Sequence, residues 1–297
     1  MMNDIIMHIN YGEEDYFQYG RNSIEDIVKM ASDIGFDGIE FRYMPPNELS
    51  NLGFEAYVDE IARCKEKYGL KTIIMALYLA DVLNSPENER DDELLKVVKR
   101  AEYANKVCGT TVFNAIGKPI KSSDKNIPSD KYECHGSAAA SEKELQDTVN
   151  VFKIIGKEIG KFGAKLAFET HMNYVHDTPE ATKKLVDMID VSSVGINMDF
   201  GNTVLFPKHI GLEEAIDLYG DKLFYVHLKN SVSVPGIDKM IPISLSEGEI
   251  NHRAYLTKLR EACFEGPICI EAPRNGDRKW FAKSDFKYIK SVVEDIR

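Results

Sequence analysis

"GKFGAKLAFETH", residues 160–171, runs from the end of a polar helical stretch, through a glycine, into a short apolar segment. A glycine in that place stops a helix, because it takes the left-handed conformation without a Cβ penalty. The apolar run behind it reads as a buried strand. The same arrangement returns as "ASDIGFDGIEF", "CKEKYGLKTIIMA", "NKVCGTTVFNA", "DLYGDKLFYVHL" and "CFEGPICIEA", so the expected helix stops are Gly35, Gly69, Gly109, Gly163, Gly220 and Gly266. Helix starts are marked too. Ser141 and Glu144 have capping-box spacing, and Thr178 precedes a proline at the first helical position.

Counted this way, strands fall near residues 4–10, 38–42, 71–77, 110–116, 164–170, 193–199, 222–229 and 267–272, each followed by helix-like sequence. Strand–helix alternation repeated through 297 residues without a linker predicts an α/β fold of one domain over residues 1–297, a single (β/α)8 TIM barrel. A doubly wound sheet is the competitor, but no GxGxxG follows the first strand. Two polar excursions, 117–144 and 230–250, follow the fourth and seventh strands, at the end where barrel active sites form. The first reads either as a lid or partner-binding segment or as a surface insertion.

Bulk properties narrow the function. Hydrophobic residues at 43% and charged residues at 29% are those of a globular protein. A net charge of −11 argues against unaided nucleic-acid binding. No apolar run approaches the roughly 20 residues that span a bilayer, and "MMNDIIMHINYG" lacks a signal-like basic and apolar succession. Five cysteines, Cys64, Cys108, Cys134, Cys263 and Cys269, are odd in number and contain no CxxC, as expected of reduced thiols in a cytoplasmic protein.

Barrel strands send alternate residues inward. In that phase His8 and Asn10, Glu40 and Arg42, Ala167, Glu169 and His171, Asn197 and Asp199, Tyr225, His227 and Lys229, and Cys269 and Glu271 face the interior. The polar members come at the carboxyl ends of their strands. One such residue is ordinarily rim solvation. Four consecutive strands ending in Glu, Asp, His and Glu are different, because clustered carboxylates repel unless a cation sits among them or some are protonated. Three carboxylates and an imidazole suit a divalent ion such as Mn2+, Mg2+, Co2+ or Zn2+. Six early aromatics, Tyr11, Tyr16, Phe17, Tyr19, Phe41 and Tyr43, are candidates for pocket wall or core.

"FETH", "GINMDFGNT", "FYVHLKN", "SEGEIN" and "ICIEAP", in this order, resemble the sugar-phosphate isomerase/epimerase group with the xylose-isomerase-like barrel. The likeness is strongest over residues 160–275. It implies one divalent metal, Mn2+ favoured, held by Glu169, Asp199, His227 and Glu271, with Glu169 and Glu271 as catalytic base and acid. His171 would face the substrate or itself act as base, and His8, Glu40, Asn114, Asn202 and Lys229 would contact a small carbohydrate. The expected reaction is proton abstraction alpha to a carbonyl through an enediolate, ending in isomerisation or epimerisation. The alternative is a lyase of the same group, resembling inosose dehydratases or C-deglycosylating enzymes of 3-oxo-glycosides. A homo-oligomer or a complex with a small partner subunit is expected.

Departures bear on substrate. Asn202 stands where many members carry histidine. Val175 and Ser233 stand where ketose 3-epimerases carry a carboxylate and an arginine. The missing histidine and the acidic surface also weaken a multi-zinc endonuclease of the same fold.

Overall fold

The structure is a computed structural model that describes residues 3–12, 23–43, 53–234, 239–272 and 274–296. Its strands are β1 (Ile5–His8), β2 (Gly38–Arg42), β3 (Thr72–Tyr78), β4 (Val112–Ile116), β5 (Lys165–Glu169), β6 (Val194–Asp199), β7 (Leu223–Leu228), β8 (Ser231–Ser233), β9 (Met240–Pro242) and β10 (Ile268–Ile270). All but β8 and β9 close into a parallel barrel in the order β1-β10-β7-β6-β5-β4-β3-β2. This is the (β/α)8 barrel that the repeated glycine-bounded rhythm predicts.

Outside it run α1 (Ile24–Ile34), α2 (Phe54–Tyr68), α3 (Ala80–Asn84), α4 (Glu87–Cys108), α5 (Glu142–Lys161), α6 (Pro179–Ile189), α7 (Phe200–Thr203), α8 (Leu212–Tyr219), α9 (His252–Glu261) and α10 (Arg278–Asp295). The capping signals hold: Ser141 and Glu144 form a reciprocal capping box on α5, and Thr178 accepts from the Ala181 N–H ahead of α6. These contacts satisfy amides that a helix start leaves without partners. The buried face of α5 sets Phe152 against Phe168 of β5 at a ring separation of 4.3 Å. Burying each such ring stabilises the fold by about 2–3 kcal/mol.

Five of the six expected helix-stop glycines take positive φ; Gly266 does not. After α9 that conformation is taken by Cys263, φ 54°. Gly266 is needed for another reason: a Cβ there would lie 2.3 Å from the Phe224 carbonyl oxygen.

Alternation along the strands divides the core in two. Met7, Ile39 and Phe168 face the helices. Ile6, Ile74, Ala167, Tyr225 and Cys269 fill the barrel interior. Of the early aromatics, Tyr11, Phe41 and Tyr43 are core, and Tyr16, Phe17 and Tyr19 lie outside the described residues.

The two excursions have structure of their own. Residues 117–144 wrap around His135, whose Nδ1 accepts from the Ser122 N–H at 3.0 Å. They dock on the segment after β5, where the Ser137 N–H donates to Asp177 Oδ2 at 3.0 Å and the Ile120 N–H donates to the Asn173 carbonyl at 2.7 Å. Residues 230–250 contain the antiparallel pair β8–β9, absent from the sequence reading because three-residue strands carry too little alternation to register. Asn230 gathers this loop, accepting from the Ser231 and Ile250 N–H groups and donating to the Glu247 and Ile250 carbonyls. Among the described residues no helix is long and apolar enough to cross a membrane.

Candidate metal centre

Strand register builds the site. Asp199 of β6 pairs with His227 of β7, and Glu169 of β5 pairs with Asn197 of β6, so their inward side chains share neighbouring levels of the barrel. Glu271 follows β10 by one residue, held by its N–H on the Leu228 carbonyl at 3.0 Å. One oxygen each of Glu169, Asp199 and Glu271 and one nitrogen of His227 lie within 4.8 Å of one another, and all four residues are buried. His227 Nδ1 stands 2.7 Å from Glu271 Oε2 and 3.9 Å from both Glu169 Oε2 and Asp199 Oδ2.

These separations fit a small divalent ion. With bonds of about 2.1 Å, octahedral ligand atoms lie about 3 Å apart when adjacent and about 4.2 Å apart when opposite. Moreover, among the described residues Asp199 Oδ2, His227 Nδ1 and Glu271 Oε2 are buried without a hydrogen-bond partner of good geometry, although the Lys229 ammonium pairs with both carboxylates. Their short mutual approaches are charge contacts outside hydrogen-bond directions. Buried polar atoms without hydrogen-bond partners are rare, and three turned to one point, beside the Lys229 ammonium, form a group that could hold a cation.

The next layer of residues fixes the four side chains of the cluster. Glu40 Oε2 accepts from His227 Nε2–H at 2.7 Å and from the Tyr225 hydroxyl at 2.7 Å. A carboxylate can only accept, so Nε2 carries a proton, and the other ring nitrogen, Nδ1, is turned to the cluster. Asn114 donates to both Glu40 Oε1 and Glu169 Oε2 at 2.9 Å, and Asn197 donates to Asn114 Oδ1 at 3.0 Å. Asn202 donates to Glu169 Oε1 at 3.2 Å, while its own N–H donates to Asp199 Oδ1 at 3.0 Å. Gly201 lets α7 approach β7: a Cβ there would lie 2.4 Å from Lys229 Cβ.

Charge follows from this packing. Burial alone would raise Glu40, yet His227 holds it down at about 2. Burial alone would lower His227, yet Glu40 and Glu169 outweigh it and keep the imidazole well above its usual value. Glu271 is held well below the carboxylate range, by His8, Lys229 and His227 against the opposing effect of burial. Asp199 is pushed up to about 6 by burial. A field that so favours positive charge favours a metal ion by the same physics.

Not every expected contact lies at the cluster mouth. Glu40 is buried completely, with both oxygens engaged from within the barrel; its place is behind His227 rather than against a ligand. Asn114 likewise sits in the buried layer, because the β4 register sets it opposite Ala167 below the strand ends. His8 points Nε2 between Glu40 and Glu271, at 3.8 and 3.9 Å. His171 stands half-buried beyond β5, its Nδ1–H on the Met172 carbonyl at 3.0 Å, outside the four-residue cluster. Asn202, Lys229 and Glu271 do line a cavity of about 850 Å³ over the barrel mouth, walled by residues 129–133 and by Met240 and Pro242.

Several supporting residues carry no sequence signal of function. Asn10 donates to Glu271 Oε1 at 3.1 Å, and its inward phase was the only hint. His176 lies in a loop that periodicity cannot read. Its Nδ1–H donates to the Glu169 carbonyl and its Nε2 accepts from the Gly117 N–H, tying β5 to β4. His252 donates to the Lys229 carbonyl at 3.1 Å.

Burial lowers His176 and His252 to about 4 and raises Asp177 to about 6. Each histidine stays neutral in the folded chain while the unfolded chain takes up a proton near 6.5, so stability present above that pH is lost as pH falls toward 4. Asp177 acts oppositely, adding stability below its folded value, fully developed under 3.8. Each difference converts to about 3 kcal/mol, leaving a net loss of about 3 kcal/mol from the three groups across this range. His252→Gln, which keeps a donor for the Lys229 carbonyl, is expected to flatten the fall in urea midpoint between pH 7 and 5. An unchanged slope would show that His252 is protonated in the folded chain.

A sequence profile of the xylose isomerase-like TIM barrel family matches residues 28–292, and the chain belongs to that family. No curated protein matches it. Among solved structures, D-allulose 3-epimerase from Methylomonas sp. in complex with D-allulose is 16% identical with a TM-score of 0.74, over 97% of this chain and 96% of that one. A xylose isomerase-like TIM barrel protein from Mycobacterium smegmatis in complex with magnesium is 17% identical, TM-score 0.74, over 99% and 98%. The probable 3-DHS dehydratase AsbF from Bacillus anthracis is 18% identical, TM-score 0.70, over 97% and 98%. At these identities the likeness is one of fold.

Proposed function

We propose that the chain is a divalent-metal-dependent enzyme of the sugar isomerase/epimerase type, which removes a proton from the carbon next to the carbonyl of a sugar or polyol-derived ketone. The observation that carries this reading is the convergence of Glu169, Asp199, His227 Nδ1 and Glu271 beneath a polar-lined cavity of about 850 Å³, room enough for a sugar or a glycoside. Those four residues would hold the ion, with Mn2+ favoured among the divalent ions that accept mixed oxygen and nitrogen ligands. When bound, the ion supplies positive charge that steadies the negative charge developing on the substrate oxygens.

The remaining work falls to side chains. Glu271 reaches the cavity and is held as a carboxylate, so it is the first candidate to take the proton. Glu169 is deeper, with both oxygens clasped by Asn114 and Asn202, an arrangement that fixes its position. Asn202 and Lys229 line the cavity and orient substrate hydroxyls. His171 and His8 stand at the border as further donors.

A second reading, a lyase acting on inososes or 3-oxo-glycosides with a small partner subunit, is favoured by one observation. The positions at which ketose 3-epimerases carry their carboxylate and arginine hold a buried Val175 and an exposed Ser233. The Lys229 ammonium, 3.2 Å from Glu271, would protonate a leaving hydroxyl.

The test is deuterium wash-in. Metal-stripped protein, reloaded with Mn2+ in D2O, is incubated with free ketoses, inososes and 3-oxo-glycosides and followed by NMR. Deuterium is expected at the carbon next to the carbonyl of one class, and the product separates the two readings. Tight Mn2+ binding without exchange on any of them would sink the enolisation chemistry.

A further inference from the structure

The Lys229 ammonium stands among the oxygens of the candidate metal centre. Its Nζ is 2.6 Å from Asp199 Oδ2, 3.2 Å from Glu271 Oε2 and 3.7 Å from Glu169 Oε1, and it donates to Asn202 Oδ1 at 3.3 Å. Asp199 Oδ2 and Glu271 Oε2 are also oxygens that would hold a metal ion in the reading above. An ammonium and a divalent ion would crowd the same oxygens, and two positive charges so close in a buried place repel strongly.

The backbone of Lys229 is the part that stays. Its carbonyl accepts from buried His252, and its Cβ packs against Gly201 so closely that no side chain fits between. The movable part is the four-carbon stem, which carries a compact charge through several rotamers. The stem has somewhere to go. Lys229 borders the 850 Å³ cavity, and so does Asn173, whose Oδ1 is buried without a hydrogen-bond partner among the described residues.

We propose that Lys229 is an internal cation that competes with the metal ion for the Asp199 and Glu271 oxygens, and that ion binding drives its ammonium out into the substrate cavity. The proposal rests on the metal reading of the site given above. It gives the lysine two jobs in sequence. Before loading, it neutralises a buried acidic cluster that would otherwise destabilise the barrel. After loading, it presents a donor to a substrate hydroxyl or carbonyl, so that only metal-loaded protein has a complete substrate site. The coupling is reciprocal: a substrate that holds the displaced ammonium tightens the metal in turn.

Two measurements on the full chain test it. Calorimetric titration with Mn2+ is made on wild type and Lys229→Met; acetylation of Lys229 by an amine-reactive ester is followed on wild type by mass spectrometry, with and without Mn2+. Removing the competitor is expected to tighten Mn2+ binding by about tenfold, and Mn2+ is expected to raise Lys229 acetylation by about tenfold, as for a group sequestered about nine-tenths of the time. Exposed Lys165 serves as the reference amine. Tighter binding with unchanged reactivity overturns the proposal, since Lys229 would then repel the ion from a fixed place. Raised reactivity with unchanged affinity overturns it as well. Should Lys229→Met fail to fold, the wild-type reactivity decides alone. Absence of Mn2+ binding to both proteins overturns the metal reading along with this one, whereas binding indifferent to Lys229 overturns only this one.

Discussion

Glu271→Gln is expected to cut deuterium wash-in by about 10³-fold, within the range a positioned general base contributes, while leaving the barrel folded. The choice of Glu271 over Glu169 comes from access. The Glu271 side chain is 11% exposed and borders the cavity, against 5% for Glu169, whose oxygens are both engaged by asparagines. Glutamine preserves an acceptor for Asn10 Nδ2 but removes the negative charge that His227 and Lys229 face. Both proton uptake and ion retention should suffer. Calorimetry with Mn2+ separates the two losses: where saturating Mn2+ restores binding but not exchange, the carboxylate is the base. His171→Gln is the internal comparison, because His171 stands outside the cluster, and its loss should cost less than about tenfold if it only orients substrate. Wild-type exchange in Glu271→Gln together with its loss in His171→Gln would transfer the base to the imidazole.

The parts of this site that were legible in the sequence are those set by strand period. A period of two, read from Phe168 outward and Glu169 inward, places Glu169, Asp199, His227 and Glu271 on one interior without any knowledge of loops. The same period put Glu40 inside, yet it carries no information about height in the barrel. Height depends on register, and register showed that Glu40 lies opposite His8 and beneath the imidazole of His227, which it holds in place. His176 and the β8–β9 pair were out of reach for a different reason. A loop histidine is placed by the tertiary contacts of two neighbouring strands, and a three-residue strand is defined by its partner more than by its own residues. Cys263 in the conformation expected of a glycine belongs here as well: it closes the turn after α9, where its N–H donates to the Arg260 carbonyl and the Phe264 N–H to the Leu259 carbonyl.

Glu40→Gln is expected to weaken Mn2+ binding by about 10–100-fold, although its carboxylate lies outside the ligand cluster. Glu40 receives donors from three directions: Asn114 Nδ2 on one oxygen, and the Tyr225 hydroxyl and His227 Nε2–H on the other. Glutamine offers a single acceptor oxygen. Whichever way the amide turns, its own N–H2 faces at least one donor in a fully buried place, and an unpaired buried donor costs about 1–3 kcal/mol. The His227 side carries the larger penalty, because there a charged carboxylate faces an imidazole held well above its usual value. If the glutamine oxygen turns to His227, the ring keeps its tautomer but loses the negative charge that makes Nδ1 a strong donor to a cation. If it turns to Asn114, the ring is free to rotate and Nδ1 leaves the cluster. Both orientations weaken the ion. Urea unfolding with chelator present should show a loss of about 3 kcal/mol, and calorimetry the loss of affinity. A variant that unfolds more easily yet binds Mn2+ as wild type does would confine Glu40 to stability and detach it from the metal centre.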